Sequence, residues 1–350
     1  MAALLTLSPE EIRARRADTP KTRDRDFAAT LGISEAQLVA AHVGHGVTPV
    51  LADLDATMSI AMDLGEVMAL TRNESCVHEK VGVYGNYRNG PHAGMIFNGD
   101  IDLRMFPKHW QHAFMVERAV EGGLRRSLQI FDAAGDAVHK IFLRDEAYVD
   151  AWEQAKRRNA LPDPVDHLEV TPRTPTPAPK GDPAKAEIIR EEWTNLTDTH
   201  QFMGLMSRLK MNRLGAYHIA GEPFVQQLDV GAVAQMFAAT QAQGLAIMVF
   251  VGNMGCIQIH SGPIHTLKPM GPWLNVLDPG FNLHLRMDHI AEVWAVDKPT
   301  RDGPAISVEA FDADGGVIFQ AFGVGRGEMA CRPQWNDLVA TLPRHALVEA

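Results

Sequence analysis

The stretch Phe131-Asp-Ala-Ala-Gly-Asp-Ala-Val138 is matched by Phe311-Asp-Ala-Asp-Gly-Gly-Val-Ile318, which keeps its Phe-Asp-Ala-x-Gly core. The two copies lie 311 − 131 = 180 residues apart. Phe114-Met-Val-Glu-Arg118 meets Trp294-Ala-Val-Asp-Lys298 at the same shift, as Asn73 and Cys76 meet Asn253 and Cys256. A register kept from about residue 73 to about 142 marks an internal duplication. In both copies an aspartate and a glycine supply turn chemistry between β-prone runs, so each reads as a strand–turn–strand hairpin. Helical patterns precede strands in each half, which predicts an α+β fold with a mainly antiparallel sheet per half.

Residues 1–45 read as helical, with the charged, amphipathic Pro9-Glu-Glu-Ile-Arg-Ala-Arg-Arg16 and a capping box at Ser34-Glu-Ala-Gln37. From about Val47 to Val149 short β-prone runs alternate with turns such as Gly85-Asn86 and Asn98-Gly99. Residues 150–158 resume a helical pattern. The proline-rich run 161–184 predicts a semi-extended linker that cannot join a core. The expected domains are therefore 1–160 and 185–350, joined by the linker 161–184.

The formal charge of −10 argues against non-specific nucleic-acid binding. No apolar run reaches the ~18–20 residues of a membrane span, and Met1-Ala-Ala-Leu-Leu-Thr-Leu-Ser-Pro9 lacks the pattern of a signal peptide. Three widely spaced cysteines fit a reducing compartment, so a soluble, cytoplasmic protein is expected. CxxC, HExxH, P-loop and GxGxxG patterns are absent from the sequence.

One helix stands out. In Asn195–Lys210, Phe202, Leu205, Met206 and Leu209 recur at helical spacing as a buried stripe. Asp198 and Gln201 are placed to cap its start. The opposite face carries His200, Met203, Gly204, Ser207 and Met211, small or soft and uncharged. That composition suits a flat apolar ligand with a metal or acid at its edge, and equally a partner-packed helix with an incidental histidine. The duplication helps to separate scaffold from function. Cys76 and Cys256 are equivalent and read as buried apolar residues, whereas His78 faces Gln258 and Arg104 faces His284.

Several segments together resemble the HemS/ChuS/HmuS family of bacterial cytoplasmic haem-utilisation proteins. They are Arg72-Asn-Glu-Ser-Cys-Val-His-Glu-Lys-Val-Gly82, Ile101-Asp-Leu-Arg-Met-Phe-Pro-Lys-His-Trp110 and Ser127–Lys140 in the first half. In the second they are Leu196-Thr-Asp-Thr-His-Gln-Phe202, Ile247–Pro263 and Met270-Gly-Pro-Trp-Leu-Asn-Val-Leu-Asp-Pro279. The resemblance implies a tandem pair of HemS/ChuX-like domains, each a large twisted antiparallel sheet with flanking helices, binding one haem in a cleft. It puts the axial iron ligand at His200 and the distal, catalytic group at Arg104. Basic positions for the haem propionates fall on Arg213 and Lys298, with Arg326 a third by a looser match. Met203, Gly204 and Ser207 would line the plate. Gln201, Phe202 and Met203 stand where some relatives carry further histidines, which speaks against ligand exchange. His78 matches a secondary haem contact of some relatives, or is structural. His109 and His112 are expected at the surface, His260 in the pocket or the core, and His42 and His218 as helix C-caps. No equivalent of the Thr197–His200 helix aligns in the first half, although Arg118 matches Lys298.

Two functions fit. The first is an enzyme that opens the haem ring and releases iron, with electrons from an external donor such as NADH, an NAD(P)H-coupled reductase or ascorbate. The second is a non-catalytic carrier that delivers haem to a separate haem oxygenase. The partners implied are haem and a haem ABC importer, haem oxygenase or reductase, with neither nucleic acid nor membrane insertion.

Overall fold

The computed structural model describes residues 7–346, so the reading of Met1–Thr6 as free of a signal segment lies outside the described residues. The first half carries helices α1 (Pro9–Ala17), α2 (Asp24–Leu31), α3 (Glu35–Ala40), α4 (Leu54–Met62) and α5 (Val149–Asn159). Its strands are β1 (Val47–Val50), β2 (Glu66–Arg72), β3 (Cys76–Val83), β4 (Gly94–Asn98), β5 (Ile101–Met105), β6 (His112–Val120), β7 (Gly123–Phe131) and β8 (Ala137–Leu143). The second half repeats the series. Its helices are α6 (Ala186–Thr194), α7 (Gln201–Leu209), α8 (Arg213–Ala220), α9 (Ala232–Gln243) and α10 (Arg332–Ala340). Its strands are β9 (Val225–Leu228), β10 (Ile247–Gly252), β11 (Cys256–Gly262), β12 (Leu267–Met270), β13 (Trp273–Asp278), β14 (Phe281–Arg286), β15 (Glu292–Lys298), β16 (Ala305–Phe311) and β17 (Val317–Gly323).

Local chemistry explains the elements. Gln37 N–H donates to Ser34 Oγ at 3.2 Å and Ser34 N–H donates to Gln37 Oε1 at 2.9 Å, the expected capping box of α3. In β2 the buried residues Val67, Ala69 and Thr71 alternate with half-exposed ones, as a pleated strand with one covered face requires. Both Phe-Asp-Ala hairpins close alike. Asp132 Oδ1 accepts from the N–H groups of Ala134 and Asp136, and Asp312 Oδ1 from those of Asp314 and Gly316. Gly135 at φ 80° and Gly315 at φ 86° take the left-handed corner that side chains disfavour.

In the first unit the strands run β1-β6-β7-β8-β2-β3, with β4-β5 as a separate hairpin; in the second, β9-β15-β16-β17-β10-β11 is accompanied by the meander β12-β13-β14. Phe114 pairs with Gln129 and Trp294 with Glu309, at the same shift of 294 − 114 = 180 residues. Even the irregularity repeats, between Ile130 and Phe131 and again between Ala310 and Phe311. The shift is 178 at the start of each half: Val47 pairs with Val116, while Val225 pairs with Val296. Helix α9, longer than α4, lies between the two registers.

The compact units do not follow the chain's halves strictly. The first comprises 1–72, 79–174 and 252–258; the second comprises 73–78, 175–251 and 259–350. Cys256 accordingly belongs to the apolar core of the first unit with Met58, Ile96 and Trp152, and Cys76 to that of the second with Phe237, Val308 and Trp335. Both thiols are buried, as the duplication suggested.

The expected linker is a fastened strap, which corrects the reading that it stays clear of any core. Its residues up to Thr174 lie on the first unit. Leu161 N–H donates to Pro49 O, Gln37 Nε2 to Leu168 O, and Thr171 N–H to Ala133 O. Leu168 packs against the cluster of Val39, Ala40 and Phe131. From Pro175 onward the strap lies on the second unit, where Lys180 N–H donates to Asn212 Oδ1 at 2.8 Å and Asn212 N–H returns a bond to Lys180 O. Prolines removed the donors that would have revealed a regular element, but the carbonyls remained able to accept.

A Cβ at Gly215 would lie 2.1 Å from the Lys180 carbonyl carbon. Gly215→Ala is therefore expected to cost about 1–3 kcal/mol and to expose the strap near Lys180 to trypsin, read by urea unfolding and limited proteolysis. In the first unit Glu35 is buried, with Lys140 Nζ at 2.5 Å and Arg72 Nη2 at 2.5 Å. Burial alone would raise its pKa, but the two cations prevail and hold it at about 2. A depressed carboxyl stabilises the fold fully above its unfolded value of 4.5 and loses that contribution as pH falls towards about 2. Urea midpoints measured across that window should fall steeply in the wild type and less steeply in Glu35→Gln.

Candidate functional site

Helix α7 is seated by its apolar stripe. Phe202, Leu205 and Met206 are buried with Trp193, Tyr217 and Phe311, and the Phe202 and Trp193 rings meet at 4.7 Å and 64°. Burial of a side chain such as Phe202 contributes roughly 1.5–3 kcal/mol. The helix stops at Leu209 because Lys210 turns left-handed at φ 60°, and Met211 N–H donates back to Met206 O. That turn carries Met211 into the interior at 7% exposure, so it does not share the face of His200 as its spacing suggested.

The other face is open. His200 has a side-chain exposure of 92%, Met203 is 54% exposed, and Ser207 is exposed. A Cβ placed on Gly204 would meet nothing within 4 Å. The start of the helix differs from expectation. Asp198 does not cap the helix; its Oδ1 accepts from His200 N–H at 2.8 Å and lies 2.6 Å from His200 Nδ1. Gln201 does reach back, its Oε1 accepting from Thr197 N–H at 2.8 Å and Asp198 N–H at 3.2 Å. These bonds to His200 hold the Asp198 carboxyl below the usual carboxylate range. His200 Nε2 has no partner among the described residues.

Beneath α7 lies a charge cluster. Glu309, fully buried on β16, accepts from Lys298 Nζ at 2.7 Å and Ser307 Oγ at 2.7 Å on one oxygen. On the other it accepts from Arg213 Nη1 at 2.8 Å and Tyr217 Oη at 2.9 Å. Burial would raise the Glu309 carboxyl, but the two cations hold it well below its usual range. Burial likewise lowers the Lys298 pKa, against the pull of Glu309. Lys298 is 3% exposed, so it is not at a pocket mouth; it lies under Phe202, 5.1 Å from the ring centroid. Arg213, at the first position of α8, is the more open cation and places Nη2 at 3.6 Å from Met203 Sδ. Sequence reading missed Glu309, although an acid inside the apolar strand Ala305-Ile-Ser-Val-Glu-Ala-Phe311 was a visible signal.

Arg326 is 85% exposed and ion-paired to Asp302, whose backbone oxygen accepts from Arg332 at 3.2 Å. Arg301 N–H donates to Thr197 O, and the charges of Arg301 and Arg326 both act on Asp198. The second unit thus gathers His200, Met203, Gly204 and Ser207 on one helix face, with Arg213 and Arg326 nearby.

Other predicted residues fall elsewhere. Arg104 lies on β5 in the first unit, cross-strand from Met95; its Nη1 donates to Asp102 Oδ1 and to Leu103 O, and its other N–H groups have no partner among the described residues. His78 is fully buried against Phe281, at a centroid distance of 5.0 Å, and His260 stacks on the same ring at 3.8 Å. His42 caps α3, its Nδ1 2.9 Å from Leu38 O, but His218 instead pairs with Glu292. His109 and His112 are half-buried rather than exposed. A cavity of about 410 Å³ in the first unit, lined by Trp110, His112, Phe114 and strap residues, holds none of the predicted site residues.

The first unit has the scaffold of α7 without its chemistry. Gly32 ends α2 in the left-handed turn that Lys210 gives α7, a shift of 210 − 32 = 178 that places Thr22 opposite His200. This supplies the helix equivalent that sequence alignment lacked. Gln129 replaces Glu309 and bonds Ser127, while Arg118, in the place of Lys298, pairs with Asp24 at 2.5 Å.

The HemS family, described as the haemin-degrading HemS.ChuX domain, matches residues 32–158 and again residues 210–342. The chain belongs to the HemS family. It is 36% identical over 334 residues to the hemin transport protein HemS of Yersinia enterocolitica, covering 95% of this chain and 96% of that one. Holo-PhuS, a heme-binding protein from Pseudomonas aeruginosa, superposes with a TM-score of 0.91 at 40% identity, over 97% of this chain and 100% of that one. ChuS, described as an E. coli heme oxygenase, gives a TM-score of 0.84 at 34% identity, over 95% and 99%. The α+β architecture of repeated antiparallel sheets is thus that of the HemS family. Both matched HemS segments begin at the left-handed residue, Gly32 in one and Lys210 in the other, so α2 and α7 precede them. No helix among the described residues is long and apolar enough to cross a membrane.

Removing the charge of Glu309 would leave two buried cations facing one another. Glu309→Gln is expected to cost about 3–5 kcal/mol, measured by urea unfolding; a loss within experimental error would show that the cluster does not hold the fold.

Proposed function

We propose that this chain binds haem on the open face of α7, with His200 as the axial iron ligand, and opens the ring to release iron. The observation that carries this reading is an exposed imidazole on an uncharged helix face, with Gly204 leaving room for a flat plate. Imidazole nitrogen is a good haem-iron ligand, and His200 Nε2 is available for it. Propionates are carboxylates, for which the guanidinium groups of Arg213 and Arg326 are suited in charge and shape. Lys298, tied to Glu309, supports this by holding Arg213's counter-ion in place. Arg104 is assigned the distal role: charged, it cannot ligate iron, but it can donate hydrogen bonds to developing negative charge. Bound haem would supply the iron and the ring to be opened. The electrons would come from an external donor of the NAD(P)H-reductase or ascorbate class, with dioxygen as the co-substrate that cleaves the ring, or as hydride from NADH in an opening that needs no oxygen. The names of HemS, PhuS and ChuS, respectively a hemin transport protein, a heme-binding protein and a heme oxygenase, support haem as the shared ligand.

A carrier reading has its own support, in the transport name of HemS and in the openness of His200, which suits release to an acceptor. Haemin-loaded protein, given ascorbate or an NADPH-coupled reductase with catalase, separates the two. Loss of the Soret band with iron release and a tetrapyrrole product is the expected outcome. A Soret band that persists until an apo-acceptor is added would establish the carrier. His200→Ala should lose the histidine-ligated spectrum, and Gly204→Leu should weaken haemin binding about tenfold or more. Arg104→Ala should keep haem and lose ring opening.

A further inference from the structure

We infer that Asp198 is a positioning residue for the iron ligand: its carboxylate fixes the ring orientation and tautomer of His200 and strengthens Nε2 as a donor. This rests on the reading of His200 as the ligand. One oxygen, Asp198 Oδ1, receives the backbone N–H of His200 at 2.8 Å and stands 2.6 Å from the ring Nδ1. A carboxylate at that distance accepts a hydrogen bond from Nδ1–H, which leaves the lone pair on Nε2, a nitrogen with no partner among the described residues. Such an outer carboxylate is a recurrent way to orient a ligating imidazole and raise its basicity.

Both side chains are exposed, at 92% and 59%, and an isolated surface pair of this kind would be weak. Here the turn is held independently. Gln201 Oε1 accepts from the N–H groups of Thr197 and Asp198, and Thr197 O accepts from Arg301 N–H. The backbone bond from His200 to the same oxygen closes a two-residue loop, so the ring and carboxylate meet without ordering two long side chains. The first unit shows the alternative: its α2 keeps the left-handed end but has Pro20 and Thr22 at the positions of Asp198 and His200. Carboxylate and imidazole are absent together.

A donor strengthened in this way favours the ferric over the ferrous ion and stiffens the iron–nitrogen bond. Asp198→Asn separates this effect from folding, because an amide oxygen can still accept the His200 N–H while carrying no charge. The variant should bind haemin about ten- to a hundredfold more weakly. Its ferrous iron–histidine stretching frequency in resonance Raman should fall and its midpoint potential should rise. Gln201→Ala, which loosens the turn that holds the carboxylate against the ring, should shift the stretching frequency and the potential in the same direction as Asp198→Asn but by less. If Asp198→Asn keeps the wild-type frequency and potential, the assignment is overturned. Should the asparagine variant lose wild-type far-ultraviolet circular dichroism, Asp198→Ser, which also closes such a turn, takes the same measurements with the same criteria. His200→Ala is the separate control: a histidine-ligated spectrum in that variant would refute the ligand reading itself, whatever Asp198→Asn shows.

Discussion

Glu309 is the constraint on which the second unit is built. Its two oxygens are filled by Lys298 and Ser307 on one side and by Arg213 and Tyr217 on the other. Through them a single buried carboxylate joins the end of β15, the middle of β16 and the first turn of α8. Such a group is expensive to bury unless every lone pair is met. Once met, it fixes those elements more narrowly than apolar packing does. Phe202 rests over both cations, at 5.9 Å from Arg213 and 5.1 Å from Lys298. The position of α7, and so of the face around His200, follows from a charge that no ligand would touch.

The first unit shows what the scaffold needs when that face is not required. Gln129 Nε2 donates to Ser127 Oγ, and Arg118 turns outward to Asp24. A different carboxylate, Glu35, gathers Lys140 and Arg72 between α3 and the sheet. Both units therefore tie a helix to strands by a buried ion cluster, but at different positions, and the register of the strands is unaffected.

Much of this was legible because hairpin chemistry is local. Asp132 and Asp312 close their turns with their own side chains, so the repeated Phe-Asp-Ala motif reported structure directly. The apolar stripe of α7 was legible for the same reason. What failed depended on contacts between distant residues or on backbone turns. Met211 followed the helical period on paper, yet the left-handed Lys210 ended the helix before it. Lys298 resembled a ligand-facing base until its partner, 11 residues later, proved to be buried. Asp198 read as a helix cap because a capping carboxylate and one that grips an imidazole two residues on differ only in the turn between them. The strap was hidden by its prolines, whose carbonyl partners, such as those of Ala178 and Lys180, are invisible to periodicity.

The tips of the two β-hairpins have a bearing on how this chain could be divided. Residues 73–78, encoded in the first half, complete the second unit, and residues 252–258, encoded in the second half, complete the first. Cys76 and Cys256 are core residues there, not decoration. A gene severed in the proline-rich stretch would therefore yield two polypeptides that each carry a part of the other's interior. Such fragments are expected to act as complementing pieces, useful together as a split reporter and poorly suited to study alone. Duplication has left this protein with two copies of one fold but without two separable modules.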